Sequence, residues 1–296
     1  MRSNLYISFA KIDNICLSLQ IEYWNIMKKT SIASWINEKP LHGRYTFTHE
    51  ALVSAFPDMN PGTLARSLTR EVSKGRILSP LRGFYVIVPE EYRLRQTVPQ
   101  SFYLDNMMRH LGRKYYVALL SAAQMHGAAH QVPMSFLVMI APPMMRNKKT
   151  DRYETLFFCK SQIPEAYIEQ RQTHTGYINV SCPELTAVDL ITYQSKIGGM
   201  TRASTVLAEL VKKTNFDNLG PEFVELMPLS SLQRLGYIFD IVLEEKKAAT
   251  ALYNLINRAE AKLQNVPLKA GKSIDGCAVN KRWKVIINQD IEIDEL

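Results

Sequence analysis

The chain has 296 residues, is 46% apolar and carries 36 Lys/Arg against 28 Asp/Glu, a net charge of +8. One or two domains with a sizeable core follow from that length and apolar content. No apolar run reaches the roughly 18 residues of a membrane span, and the basic excess favours an anionic partner.

The charge is unevenly spread. Residues 1–26 are neutral, residues 27–89 hold nine Lys/Arg against four Asp/Glu, and only +3 remains for the other two-thirds. The four cysteines (Cys16, Cys159, Cys182, Cys277) are far apart and form no C-x-x-C. In a long chain that usage points to a reducing cytoplasm with buried or incidental thiols. Lys11 and Asp13 interrupt any signal-peptide core in the opening segment. Met27-Lys28-Lys29-Thr30 makes a more natural start, so residues 1–26 are expected to be an extension without a functional role.

In chain order, Ile32, Trp35 and Ile36 have i, i+3, i+4 spacing and predict a short helix beginning after Thr30 or Ser31 and ending before Pro40. Thr48 caps a second helix. Phe47 and Leu52 occupy the two positions of a hydrophobic staple, and Leu52, Val53 and Phe56 are expected on the buried side. Pro57-Asp58-Met59 turns into a third helix, for which Asn60 is the cap and Pro61 sits at the first position, where its missing N–H costs nothing. Leu64, Leu68 and Val72 predict the apolar stripe, Thr63, Arg66, Arg70, Ser73 and Lys74 fall on the other side, and Gly75 stops the helix. A hairpin is expected next, pairing Ile77-Leu78 with Phe84–Val88 around Pro80-Leu81-Arg82-Gly83.

Helix, helix, turn, helix and hairpin in about 60 residues describe a winged helix-turn-helix. Its third helix would read DNA and its hairpin would be the wing. The bland alternative is a solvated amphipathic helix. Against it stand five basic residues (Arg66, Arg70, Lys74, Arg76, Arg82) and one acid, Glu71, between Asn60 and Val88.

Residues 90–101 are polar and proline-flanked, as suits a linker. Phe102 to Ala129 reads as helical, interrupted near Gly112. Ser135–Ala141, Leu156–Cys159 and Gly176–Ser181 read as strands. Pro142–Arg152 is a basic loop (Arg146, Lys148, Lys149, Arg152), either solvated or a second phosphate, RNA or protein contact. Helices follow at Glu184–Tyr193, Ala203–Lys213, Pro221–Met227, Ser231–Glu245 and Ala248–Leu263, then a short strand near Trp283 and an acidic tail. The fold class is therefore α+β: an N-terminal winged helix-turn-helix, then a larger mixed α/β domain ending in a helical region. The domain limits are 27–89 for the DNA-binding domain, 90–101 for the linker and 102–296 for the second domain.

No catalytic constellation stands out. His126 and His130 are four apart, but Gly127 occupies the place of the Glu that a zinc-protease motif requires, and no third ligand is near. Glu184 and Asp189 point to different faces of one short helix, and Glu184 suits the helix dipole. Gly198-Gly199 lacks the Lys-Ser/Thr of a phosphate loop, and Ser121 and Ser181 lack nucleophile-elbow glycines. No metal and no cofactor is called for.

Three blocks in the second domain carry a resemblance. Tyr115-Tyr-Val-Ala-Leu-Leu-Ser-Ala-Ala-Gln-Met-His-Gly-Ala, Val180-Ser-Cys-Pro-Glu-Leu-Thr-Ala-Val-Asp-Leu-Ile and Ser231-Leu-Gln-Arg-Leu-Gly-Tyr-Ile-Phe-Asp resemble successive blocks of the AbiEi family of antitoxins. They stand in the family's order behind a winged helix, and the resemblance runs from about residue 28 to the end. It implies a cytoplasmic antitoxin of a bacterial toxin–antitoxin, phage-defence operon. Its winged helix would bind inverted repeats of double-stranded operator DNA and repress transcription, as a monomer or weak dimer pairing on DNA. Its C-terminal domain would neutralise, directly or indirectly, a nucleotidyltransferase-like toxin.

By position, the DNA-reading face would be Thr63, Arg66, Ser67, Arg70, Ser73 and Lys74, with Arg76 and Arg82 as wing and phosphate contacts. The residue chemistry points the same way, since Arg and Lys meet phosphates and Arg pairs bidentately with guanine. Two other readings stay open: a nuclease or nucleotide-modifying enzyme targeted by a winged helix, and a protein-interaction module whose winged helix mediates dimerisation.

Overall fold

The computed structural model describes residues 31–95, 98–128, 135–149 and 154–292. The expected extension at 1–26 lies outside these, as does His130. The chain divides into two compact units, Met1–Met107 and Met108–Leu296.

The first unit opens with α1 (Ile32–Glu38), capped by Ser31, whose hydroxyl accepts from the Ser34 amide. β1 (Thr46–Thr48) leads into α2 (His49–Ala55), capped by the Thr48 hydroxyl. α3 (Pro61–Ser73) is capped by Asn60, whose side chain accepts from the Gly62 amide at 2.8 Å. β2 (Ile77–Leu81) and β3 (Phe84–Ile87) form the hairpin, with a register shift between Leu78 and Leu81 that accommodates Pro80. β1 adds antiparallel to β3, giving a three-stranded sheet in the order β1-β3-β2. This connectivity and sheet order fit a winged helix-turn-helix.

Its core is Ile32, Ile36, Phe47, Leu52, Leu64, Leu68, Ile77 and Ile87. Trp35 packs edge-on to Phe47 at 5.3 Å, and Phe47 stacks on Tyr85 at 5.1 Å. The staple pair Phe47 and Leu52 is buried, whereas Val53, expected inside, is 41% exposed.

The region after the hairpin is helical in part, with short 3-10 segments at Glu90–Arg95 and Gln100–Phe102. α4 (Leu104–His110) then carries the chain onward.

The interruption expected near Gly112 is present, but the second unit corrects the helix expected after it, up to Ala129. Gly112, with φ +62°, turns the chain, and Tyr115–Val117 is a strand, β4, before α5 (Leu119–Met125). Two aromatics and a valine suit a pleated, two-sided burial, and all three residues are buried. Further strands are β5 (Ser135–Ile140), β6 (Lys148–Lys149), β7 (Glu154–Cys159), β8 (Ile168–Thr173) and β9 (Gly176–Ser181). They form a mixed six-stranded sheet ordered β6-β7-β5-β4-β9-β8, in which β5 runs parallel to β7 and β4 parallel to β9. Part of the expected basic loop is thus an edge strand, Lys148 pairing with Thr155.

α5 and α6 (Pro183–Thr192) lie against this sheet, and the helical region builds on from them through α7 (Met200–Leu210), α8 (Glu222–Leu226), α9 (Leu229–Tyr237) and α10 (Lys246–Arg258). α9 continues as a π-helical turn at Ile238–Val242. A small sheet of β10 (Val266–Pro267), β11 (Val279–Asn280) and β12 (Val285–Ile286) follows, ordered β10-β12-β11. One apolar core runs from Tyr116 through α5, α6, α7 and α9 to Trp283. Among the described residues, no helix is long and apolar enough to cross a membrane.

Candidate nucleic-acid interface

α3 presents two different faces. Leu64 and Leu68 are buried, and Thr63, Arg66, Arg70, Ser73 and Lys74 are exposed, with Ser67 half-buried. Positions 63, 66, 70 and 74 are three or four residues apart, so they form one ridge along the helix. The cations on it differ in freedom. Arg66 folds back, its Nε donating to the Gly62 carbonyl at 3.2 Å. Ser73 spends its hydroxyl on the Arg70 carbonyl at 2.9 Å. Arg82 is exposed in the turn of the hairpin.

The stripe itself needs correction. Val72, expected in the core, is 39% exposed, and Glu71 takes its place at 1% exposure. Helix geometry explains the exchange. Each residue turns about 100°, which puts position 71 about 40° and position 72 about 60° from the middle of the Leu64–Leu68 stripe, on opposite sides of it. A charged residue at a core angle leaves no hydrophobic signal, and the apolar neighbour drew the assignment instead.

Glu71 is held by basic residues. Its Oε2 accepts from Arg76 Nη1 at 3.1 Å. Its Oε1 has no hydrogen-bond donor, and Arg70 Nε and Lys74 Nζ stand 3.8 and 4.0 Å from it. Arg76, expected to meet phosphate, is therefore turned back onto the helix. Gly75 makes that return possible: φ of +65° is the left-handed conformation that ends a helix, and the Arg76 amide then bonds the Glu71 carbonyl at 3.1 Å. The structure thus gathers Arg70, Lys74 and Arg76 around one carboxylate.

In the second unit the serine, glutamate and histidine side chains hold neighbouring elements together. Ser121 Oγ accepts from the Leu137 amide at 2.9 Å, and Ser181 Oγ bonds Thr186 Oγ1 at 2.6 Å. Glu184 accepts from the Asn215 amide. His126 is buried, with Nε2 at 2.7 Å from the Ser181 carbonyl and Nδ1 at 2.9 Å from Arg171 Nη2. An arginine only donates, so Nδ1 must accept and Nε2 must carry the proton. Burial is the main cause that lowers the imidazole's affinity for a second proton, and the Arg171 charge adds to it. Cys159, Cys182 and Cys277 are free thiols, and burial pushes the Cys182 thiol up. Among the described residues, no group of three or more His, Cys, Asp or Glu is placed to hold a metal.

Two polar clusters went unseen in the sequence. Asp189, 1% exposed, accepts from the Tyr116 hydroxyl at 2.8 Å and from Lys160 Nζ at 3.0 Å. Burial raises the Asp189 carboxyl above its ordinary value, with Lys160 pulling against it, and burial likewise drives the Tyr116 phenol up. Asp240 accepts from Lys246 Nζ at 2.9 Å, Arg282 Nη1 at 3.0 Å and Trp283 Nε1 at 2.9 Å. Burial pushes the Asp240 carboxyl upward, but these three donors outweigh it and hold it below the ordinary value. Both clusters join residues far apart in sequence, so spacing offers no trace of them.

The chain thus has two parts, a small winged core that carries an exposed basic helix and a larger sheet-and-helix unit. The comparisons name the second part. Residues 116–241 match the model of the AbiEi antitoxin C-terminal domain, which supports an antitoxin role in a toxin–antitoxin system. The matched segment runs from Tyr116 in β4 to the π-helical turn after α9. A crystal structure of the RV2827C protein from Mycobacterium tuberculosis is similar in fold, with a TM-score of 0.57 at 17% identity, covering 82% of this chain and 86% of that one. No curated protein sequence matches the chain.

Proposed function

We propose that this chain is a cytoplasmic autorepressor and antitoxin. Residues 27–89 bind inverted repeats of double-stranded DNA upstream of its own operon, and residues 102–296 neutralise a nucleotidyltransferase-like toxin. The observation that carries the DNA half is the ridge of Thr63, Arg66, Arg70 and Lys74 on α3, opposite the Leu64–Leu68 core. A helix of 13 residues braced from behind by a sheet is free to enter a major groove with its polar side forward. Arg66, Arg70 and Lys74 supply the phosphate and guanine contacts, and Arg82 adds one from the hairpin turn. Two copies would pair on the repeats as monomers or as a weak dimer. The antitoxin half rests on the family of the second unit.

The test is a gel shift with a duplex carrying the DNA upstream of the chain's own gene. Arg66→Ala or Arg70→Ala should cost about 1–3 kcal/mol if the residue reads a base, and should flatten the salt slope by about one if it meets only phosphate. Wild type and both variants binding equally well would defeat the assignment. Co-expression with the neighbouring toxin candidate tests the other half: deleting residues 102–296 should abolish growth rescue.

A further inference from the structure

We propose that Glu71 is a positioning residue for DNA recognition: its buried carboxylate fixes the recognition helix to the wing and centres the cations that meet DNA. The proposal rests on the DNA-binding reading above and deepens it. An acid at the heart of a basic interface subtracts from affinity for a polyanion, and burying it carries a desolvation cost. Its two oxygens are placed to do different things.

Oε2 holds Arg76 at 3.1 Å, and Arg76 is the residue between the helix stop at Gly75 and the first wing strand. The backbone of Arg76 is tied on both sides, its amide to the Glu71 carbonyl at 3.1 Å and its carbonyl to the Val88 amide at 2.9 Å. The ion pair therefore closes a joint between the C-terminal turn of α3 and the hairpin. Its carboxylate is 2% exposed, so salt and water screen it less than a surface pair.

Oε1 is buried with no hydrogen-bond donor. Arg70 and Lys74 stand near it at 3.8 and 4.0 Å, close enough for attraction and too far for a bond, and their side chains are 64% and 48% exposed. They are drawn to a common centre without being consumed. Arg76 is committed to the joint, whereas Arg70 and Lys74 stay available to phosphates.

Replacing the carboxylate by its neutral isostere separates positioning from packing. In Glu71→Gln the three cations lose their shared counter-charge, and Arg76 is released toward solvent. Binding to a scrambled duplex should tighten, and its salt slope should steepen by about 0.9 for the one added phosphate contact. Preference for the upstream duplex over the scrambled one should fall severalfold, because the wing is no longer fixed to the helix. The double variant Glu71→Gln/Arg76→Gln should return the slope to near wild type while the preference stays low.

Fluorescence anisotropy of the full chain on both duplexes, between 50 and 300 mM salt as roughly the range where the counterion term is steep, reads all of this. Unchanged slope and preference in Glu71→Gln would overturn the proposal, since a residue that only packs changes the active fraction and not the slope. The urea midpoints of wild type, Glu71→Gln, Arg76→Gln and the double variant form a cycle that needs no DNA. Non-additive midpoints support the joint and additive ones overturn it. Wild-type protein that ignores the sequence of the duplex would instead refute the operator reading on which the DNA role rests, while the urea cycle still judges the joint.

Discussion

Lys160→Met should destabilise the antitoxin unit, and by an amount that depends on pH. Lys160 Nζ lies 3.0 Å from Asp189 Oδ1, and the two side chains are 13% and 1% exposed. Removing one partner of a buried pair leaves the other charge uncompensated, at about 3–5 kcal/mol. The residual exposure of Lys160 favours the lower end, about 3 kcal/mol. For a unit of this size that lowers Tm by about 6–12 °C. The pH dependence has a definite sign. Asp189 in the folded chain already titrates above the ordinary 3.8 because burial outweighs Lys160. A raised carboxyl contributes stability that is complete below its unfolded value and is lost as pH rises through the folded one. Without Lys160 the folded value moves further up. The deficit of the variant should therefore be largest near neutrality and shrink as the pH approaches 4, about where a free carboxyl titrates. Adding Asp189→Asn, which still accepts from Tyr116, should recover most of the loss. Thermal melts by circular dichroism at several pH values check this. A variant melting within about 2 °C of wild type at neutral pH, or a deficit that ignores pH, would refute the reasoning.

Gly236→Ala tests a close approach in the same unit. A methyl there would sit 2.0 Å from the Trp283 ring, which is fully buried and fixed through its Nε1 bond to Asp240 at 2.9 Å. Alanine gains about 1 kcal/mol of helix propensity, but overpacking against a ring that cannot retreat costs about 3 kcal/mol or more. The net is about 2 kcal/mol of destabilisation, and a calorimetric Tm at or above wild type would count against it. His126 predicts acid sensitivity. Its lowered folded value means that stability is complete above the ordinary 6.5 and is lost as pH falls through the folded one. His126→Gln should flatten the fall in urea midpoint between neutral and mildly acid pH, and identical slopes in the two proteins would sink the assignment.

Sequence reasoning located the elements whose local signals agree with their packing. The caps at Thr48 and Asn60, the staple of Phe47 and Leu52, and the stop at Gly75 all act over a few residues and leave local patterns. What stayed hidden depends on partners distant in sequence. β1 is only three residues long and exists because β3 pairs with it. β8 is Ile-Glu-Gln-Arg-Gln-Thr, an edge strand with almost no apolar signal, recruited by β9. β4 was hidden inside an alanine-rich run that reads as helix, and its pairing with β5 decides the matter. In the candidate interface the exposed ridge was legible from helical periodicity. Glu71 was not, because periodicity tracks apolar residues and the core position here is filled by an acid.

Three cations of the second unit and three at the end of α3 meet buried acids in different proportions. In the second unit, Lys160, Lys246 and Arg282 are bound to the buried acids Asp189 and Asp240, so their charge is answered inside the fold. A cation paired in that way costs its carboxylate a partner if it moves to an outside anion, and it is a poor contact for DNA. On α3 the arrangement is different: one carboxylate, Glu71, faces three cations, and only Arg76 is within hydrogen-bond distance. Two positive charges are left over beside a single neutralised one. Net charge alone, +8 over the whole chain, does not reveal where a polyanion would bind. On the DNA-binding reading proposed above, the imbalance around one buried acid supplies that location, the C-terminal half of α3.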